Sequence, residues 1–287
     1  MPDLVYLNGK YLPRRDAVVS VEDRAFLFGD GVYEVIRTVN GTLLEAARHI
    51  RRLERGVAGL SLAFSSADAR NLLAVSERLL DEGGLTTGEA LVYWQVTRGA
   101  APRTHQFPPA STPVTVYASA SAFRPPHQSR GTGVAAITLP DQRWARCDLK
   151  TVNLLPNVLA KQAAVNAGVF EAVFVRDGAI TDCASTNVFG VVDGVIHTAP
   201  HSNYILPGVT RDVVVELAHK LGIPVREEPM FAADLSRLDE LFLTGTSTDV
   251  MPVVTLDGRP VGSGRPGPVT AKLYNALADH YGLPRGD

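Results

Sequence analysis

Three of the chain's Asx-Gly dipeptides, Asn8-Gly9, Asn40-Gly41 and Asp193-Gly194, limit what it can fold into more than any other feature. Each supplies the pair of positive-φ residues that a tight two-residue turn demands, so each predicts an antiparallel hairpin. Hairpins in both halves of the chain argue against one purely parallel sheet. The first predicts strands within residues 4–12. The second follows an alternating strand at 32–39, itself preceded by the break Gly29-Asp30-Gly31. Helices belong between the strands. Residues 46–60 place Ile50, Leu53 and Val57 at helical spacing, and a second helix is expected at about 67–80, with Ser65 or Ser66 as N-cap and Gly83-Gly84 as stop. Strands at 89–98 and 113–120 flank a Pro-rich loop holding Arg103, His105 and Phe107.

The stretch 123–133 carries Pro125, Pro126, Gly131 and Gly133 and reads as a linker. Beyond it the pattern restarts: a strand near Val134, a helix at 156–166, a strand at 172–176, the Asp193-Gly194 hairpin, a helix at 209–221, strands at 223–226 and 240–244, and a last helix at 269–281. The expectation is a mixed α+β chain of two domains, 1–122 and 134–287, joined by 123–133. A net charge of −2 gives no electrostatic reason to expect nucleic acid or an anionic membrane as partner. Two cysteines, Cys147 and Cys183, suggest neither a disulfide framework nor a four-ligand zinc site, so no metal is expected. The first twenty residues hold no apolar stretch of signal-peptide length, and no run approaches the roughly 20 apolar residues of a membrane span. A cytoplasmic protein is the expectation.

Among the five lysines, Lys150 stands apart. It ends the run DQRWARCDLK (141–150), where two arginines, two acids and a tryptophan crowd it, whereas Lys10, Lys161, Lys220 and Lys272 fit turn or helix-surface settings. A lysine among charges on a rigid element can have its pKa lowered, and an unprotonated amine is what a Schiff base requires. LPGVTR (206–211) brings Pro207 and Gly208 tightly into a helix start, leaving the Val209 and Thr210 N–H groups free for an anion such as phosphate. TGTST (244–248) is a second hydroxyl-rich candidate cradle directly after a strand. Arg52 could add a positive charge. Asp182, in TDCASTNVFG (181–190), either caps a turn or pairs with a buried cation. Arg103, on its loop, suits a bidentate grip on a carboxylate. Taken singly, each of these segments is more often an ordinary helix start, turn or solvated loop.

Together, GDGVYEVIR (29–37), RHIRRL (48–53), VTRGAAPRTHQFP (96–108), RWARCDLKTVNLL (143–155), TDCASTNVFG, LPGVTRDVV (206–214) and FLTGTSTDVMPV (242–253) resemble the fold-type IV pyridoxal-phosphate enzymes, and within them the D-amino-acid aminotransferases. The resemblance runs the length of the chain, in order and at family spacing. It implies a smaller N-terminal sheet-and-helix domain and a larger C-terminal pseudo-barrel domain carrying the cofactor lysine. Lys150 matches the residue that holds pyridoxal 5'-phosphate as a Schiff base and moves the substrate proton. Arg52, the Val209 and Thr210 amides and Thr246 match phosphate-binding positions, with Leu206 and Ser247 beside them. Tyr33, Arg103 and His105 match the trap for the substrate α-carboxylate, with Arg103 and His105 donated by the neighbouring subunit of a homodimer.

The implied reaction moves an amino group from a D-amino acid such as D-alanine to a 2-oxo acid such as 2-oxoglutarate, in a ping-pong cycle. Two departures stand out. Asp182 occupies the position where the family places Glu against the pyridine nitrogen, shorter by one C–C bond of about 1.5 Å. Cys183 replaces a glycine beside it and reads as a small buried filler. A branched-chain transaminase, an (R)-amine transaminase, an aminodeoxychorismate lyase and a non-catalytic cofactor-binding protein are the alternatives. The Arg103-x-His105 trap argues against the first three, and Lys150 against the last.

Overall fold

The computed structural model describes residues 2–283. These residues pack as two compact units, the first running to Arg124 and including Leu149–Leu154, the second comprising Pro125–Asp148 and the chain from Leu155 onward.

In the first unit, β1 (Leu4–Leu7) and β2 (Lys10–Pro13) turn at Asn8 and Gly9, whose φ angles are 48° and 86°. A short α1 (Arg24–Phe28) precedes β3 (Gly31–Val39), which turns at Asn40-Gly41 into β4 (Thr42–Leu43). Helices α2 (Ala46–Gly59) and α3 (Ser66–Glu82) follow, then β5 (Glu89–Thr97) and β6 (Thr115–Ala122). The strands form one antiparallel sheet in the order β2-β1-β6-β5-β3-β4. Alternation sends Val32, Ile36, Val92, Trp94 and Val96 to one face, where Ile50, Leu53, Val57, Leu72, Val75 and Leu79 of α2 and α3 cover them. Each such large apolar side chain contributes about 1.5–3 kcal/mol on burial. Trp94, fully buried, donates its indole N–H to Ser76 Oγ at 2.8 Å, so the core leaves no unmet polar atom there. Helix α1 was not foreseen. Five residues are too few for a periodic pattern, and it exists because Asp23 caps the Ala25 N–H (2.9 Å) and Gly29 ends it with φ 69°.

Leu149–Leu154 packs with this first unit, although the sequence reading assigns it to the second domain. The cause is an open hydrogen-bonding edge. Strand β4 covers β3 only at Thr38 and Val39, so the opening residues of β3 pair instead with 150–152. Thr151 bridges Val32, the Tyr33 N–H donates to the Lys150 carbonyl (3.0 Å), and the Val152 N–H donates to the Gly31 carbonyl (3.0 Å).

The second unit opens with α4 (His127–Thr132), inside the stretch expected to be a linker. Pro125 and Pro126 precede this six-residue helix and Gly133, at φ 78°, stops it, so the same residues that signal a linker bracket a helix. Arg130 ties it down through an ion pair of 2.5 Å to Asp249. Then come β7 (Val134–Pro140), α5 (Leu155–Asn166), β8 (Glu171–Arg176), β9 (Ala179–Cys183), β10 (Asn187–Val192), β11 (Val195–Thr198), α6 (Val209–Lys220), β12 (Val225–Glu227), β13 (Met230–Phe231), β14 (Glu240–Gly245), β15 (Asp249–Leu256), β16 (Arg259–Pro260) and α7 (Pro268–Tyr281). The ten-stranded sheet runs β12-β11-β10-β14-β15-β7-β8-β9-β13, with β16 on β15. Three pairs, β11·β12, β15·β7 and β7·β8, are parallel and the rest antiparallel. Both faces of β14 are buried. Leu241 and Leu243 pack with Val188, Met251 and Val253, while Phe242 stacks on Phe189 (4.8 Å) beneath Val213, Leu217, Leu273 and Leu277 of α6 and α7. No helix among the described residues is long and apolar enough to cross a membrane.

Candidate active site

The first unit holds Lys150, Tyr33, Arg52, Arg103 and His105; the second holds Asp182, Leu206, Val209, Thr210, Thr246 and Ser247. Backbone bonds to β3 at the Lys150 carbonyl and the Val152 N–H fix the segment that carries Lys150, and Leu149 before it is buried against α2. A Cβ at Gly59 would lie 2.6 Å from Leu149 Cδ2, so glycine there is what lets α2 end against this segment. The half-buried Lys150 places Nζ 4.2 Å from the centre of the Tyr33 ring, a cation–π contact that aims the amine across the sheet face. Tyr33 in turn stacks on Tyr93 (5.8 Å). Burial, then the neighbouring Tyr33 and Tyr117, push the Tyr93 hydroxyl above its ordinary value, so it stays neutral.

On the opposite face of β3, Glu34 is fully buried and serves two bases. Arg52 donates to it through Nε (2.7 Å) and NH2 (2.8 Å), and His49 Nδ1 lies 2.8 Å away. Burial would raise the Glu34 carboxyl, but Arg52 and then His49 override it and hold it well below the usual carboxylate range. His49 moves the other way. Its burial, seconded by the cations Arg52 and Lys150, outweighs the attraction of Glu34 and lowers its pKa. A neutral ring still donates Nδ1–H to the carboxylate, so the short contact needs no imidazolium. Arg52 is thereby held in one orientation by a fixed anion.

Arg103 and His105 lie exposed on the β5–β6 loop, each in contact with the Phe28 ring: the Arg103 guanidinium at 5.2 Å and the His105 ring edge-on at 5.9 Å. The loop is clamped at its base. Arg24 NH1 donates to the Thr104 carbonyl (2.8 Å), Arg98 stacks on Phe107 (3.6 Å), and both arginines grip Asp30 at 2.8 Å.

In the second unit Asp182 sits on β9 with 3% exposure. Its Oδ2 accepts from Arg143 NH1 (3.2 Å) and the Leu206 N–H (3.0 Å), and Oδ1 accepts from Asn187 Nδ2 (2.9 Å). Burial raises its carboxyl above the ordinary value, against Arg143 and the Leu206 and Cys183 N–H groups. Asn187 also donates to the Leu206 carbonyl (2.9 Å), joining Asp182 to the entry of α6. Gly208 permits this closure, since a Cβ there would collide with Asn187 Oδ1. Helix α6 then begins with no side-chain cap, leaving the N–H groups of Val209 and Thr210 at its positive end. Thr244, at the end of β14 and paired in register with Asn187, has a buried hydroxyl with no partner. Thr246 is half-buried and Ser247 exposed in the turn that follows. A carboxylate, an uncapped helix end and an orphaned hydroxyl thus collect around Asn187.

The family profile of amino-transferase class IV matches residues 31–256. A D-alanine aminotransferase of Bacillus licheniformis is 42% identical over 280 residues, 95% of both chains. Among solved structures, the branched-chain amino acid aminotransferase of Escherichia coli superposes with TM-score 0.88 at 27% identity, covering 99% of this chain and 95% of that one. A second enzyme of that description, from T.th. and complexed with N-(5'-phosphopyridoxyl)-L-glutamate, does so with TM-score 0.86 at 28% identity, covering 99% and 96%. This chain belongs to the class IV aminotransferases.

As a class IV aminotransferase it has the expected fold-type IV architecture, a smaller sheet with helices and a larger, curled mixed sheet. The polar groups of the second unit suit a phosphorylated aromatic cation: helix N–H groups and a spare hydroxyl for the phosphate, a buried carboxylate for a ring N–H. The residue reading passed over Arg143, Asn187, Glu34 and His49. Arg143 was legible only as a member of a crowded run, because its partner Asp182 lies 39 residues on. Glu34 and His49 carried a weak signal: a charged residue on the inward side of an alternating strand and a histidine on the inward face of α2. Cys183 is buried, at 2% exposure, and burial pushes its thiol well up, as suits an inert filler.

Proposed function

We propose that this class IV aminotransferase is a pyridoxal-phosphate-dependent D-amino-acid transaminase, moving the amino group of a D-amino acid such as D-alanine to a 2-oxo acid such as 2-oxoglutarate. Its likeness, over 95% of its length, to a D-alanine aminotransferase carries this reading. When bound, the cofactor supplies an aldehyde for the amine and a pyridinium ring that accepts electrons from the substrate Cα. Lys150 would hold the cofactor covalently through Nζ and, once the substrate amine has displaced it, would take the proton from the substrate Cα and deliver it to the cofactor's aldehyde-derived carbon, base first and then acid. The backbone bonds of its segment to β3 keep the root of that side chain in place. Asp182 holds the ring N–H as a carboxylate. Arg52, fixed by Glu34, and the Val209 and Thr210 N–H groups with Thr246 and Ser247 bind the phosphate, Leu206 packing beside it.

Tyr33 contributes to the trap for the α-carboxylate, and Arg103 and His105 complete it from the second subunit of a homodimer. Their exposure on a loop that is itself clamped supports donation outward: the side chains project while Asp30, Arg24 and Arg98 hold the backbone.

Similarity of fold to branched-chain enzymes favours one second reading, transfer from an L-amino acid. A half-reaction separates the two. Cofactor-loaded protein is mixed with D-alanine and with L-alanine, and the loss of the visible absorbance band is followed. Loss with D-alanine alone is the expected result; loss with L-alanine alone would move the chain to the L-specific branch.

A further inference from the structure

Asp182 does not stand alone. Arg143, which joins it at 3.2 Å, is 8% exposed and held on four sides. Its Nε and NH2 donate to Asp141 (2.9 and 3.0 Å), NH2 also donates to the Tyr204 carbonyl (2.8 Å), and the guanidinium lies over the Phe174 ring at 4.6 Å. Asp141 is in turn met by Arg176, at 3.3 Å. The result is a row of alternating charges, Arg176, Asp141, Arg143, Asp182, reaching from the end of β8 to a buried carboxylate. Arg143 and Asp182 cannot reorient freely, because planar Arg143 is held bidentately by Asp141 and Asp182 has both oxygens engaged.

Resting on the transaminase reading above, the geometry points to Arg143 as a positioning residue that keeps Asp182 charged and oriented, and through it keeps the cofactor's ring nitrogen protonated. A carboxylate one carbon shorter than the family's glutamate has less reach and cannot search for its partner by rotation. Its direction must therefore be set from behind, and Arg143 with the Leu206 N–H fixes Oδ2 while Asn187 fixes Oδ1. Without Arg143, a side chain so deeply buried would lose its nearest countercharge, and a neutral carboxylic acid would hold the ring proton poorly. Burial already pushes Asp182 upward with Arg143 in place, which sharpens the need for it. Asp141 and the buried Cys147 and Cys183, the other titratable groups around this pair, are either already paired or neutral thiols.

The test loads the protein with pyridoxal phosphate labelled with ¹⁵N in the ring and reads the ring-nitrogen chemical shift, which separates pyridinium from neutral pyridine without turnover. In the wild type the signal is expected at the pyridinium position, and in Asp182→Asn at the neutral one. Arg143→Gln should move it most of the way toward neutral and weaken cofactor retention on dialysis at least tenfold. Arg143→Lys, which keeps a charge but not the fork, should fall between. Should Arg143→Gln fail to fold, Asp141→Asn loosens Arg143 without removing it and should move the signal the same way by less. If Asp182→Asn shifts the signal while both Arg143 variants leave it at the wild-type value, the positioning role is overturned and Arg143 is structural only. If Asp182→Asn itself changes nothing, the assignment of Asp182 falls first, and this inference with it.

Discussion

At the scale of single residues, the chemistry divides between groups that must be free and groups that must be held. Lys150 is the free one, fixed by its backbone with its amine left on the Tyr33 ring. Lys150→Ala should lower turnover by roughly 10²–10⁴-fold or more, the contribution of a lost acid–base group, without disturbing the fold; steady-state kinetics at near-wild-type activity would remove Lys150 from the role. His49 is a held one, and its depressed pKa makes a prediction about pH. Because the folded state resists protonating His49 while the unfolded chain protonates it near 6.5, the unfolded state binds more protons as pH falls below that value. Stability contributed by the neutral ring is therefore present above about pH 6.5 and is lost as pH falls toward the folded value. Urea midpoints at pH 7.5 and 5.5 should fall more for the wild type than for His49→Asn, which keeps a donor to Glu34 but cannot titrate. Equal falls would show that His49 is not the group responsible.

At the scale of elements, the site depends on two places where glycine admits a neighbour that a side chain would exclude, Gly59 beneath Leu149 and Gly208 beside Asn187. Gly59 makes the sharper prediction. Its neighbour is the end of a flexible leucine, so Ala costs a small adjustment, whereas the branched Val displaces Leu149 and with it the strand-edge pairing of Lys150. Gly59→Val should reduce activity at least about tenfold for a stability loss of about 1–3 kcal/mol; a thermal-melt shift with kcat intact would show that the lysine segment is held by its β3 bonds alone. Strand β3 illustrates why elements are more legible than their contacts. Its alternation is plain in the sequence, yet its two faces do different things, Tyr33 meeting Lys150 and Glu34 anchoring Arg52.

For the whole molecule, the proposed donation of the exposed Arg103 and His105 across a dimer would give each complete site residues from two copies, and complementation tests this. Arg103→Ala and Lys150→Ala chains, each nearly inactive alone, should regain about a quarter of wild-type activity when unfolded and refolded together, since random pairing in a two-fold dimer leaves one intact site in half the dimers. No recovery beyond the sum of the separate chains would place the loop and the lysine of one site on the same chain. The sequence by itself determined the hairpins, most of the helices and the family motifs, because turn chemistry, capping and hydrophobic period act over a few residues. Asn8-Gly9 and the Ser65 cap of α3 are in place for that reason. It missed β15, whose Pro252 and five consecutive buried residues erase the alternation, and although the units do divide after Arg124, within the stretch 123–133, it did not foresee the helix α4 there, because helix-bracketing residues resemble those of a linker. Tertiary structure alone decided that 149–154 would complete the edge of β3, that Glu34 would anchor Arg52, and that Arg143 would stand behind Asp182. Each of these joins residues far apart in the chain, and such pairings form only where packing excludes water, makes an unpaired charge costly and leaves a strand edge to be filled.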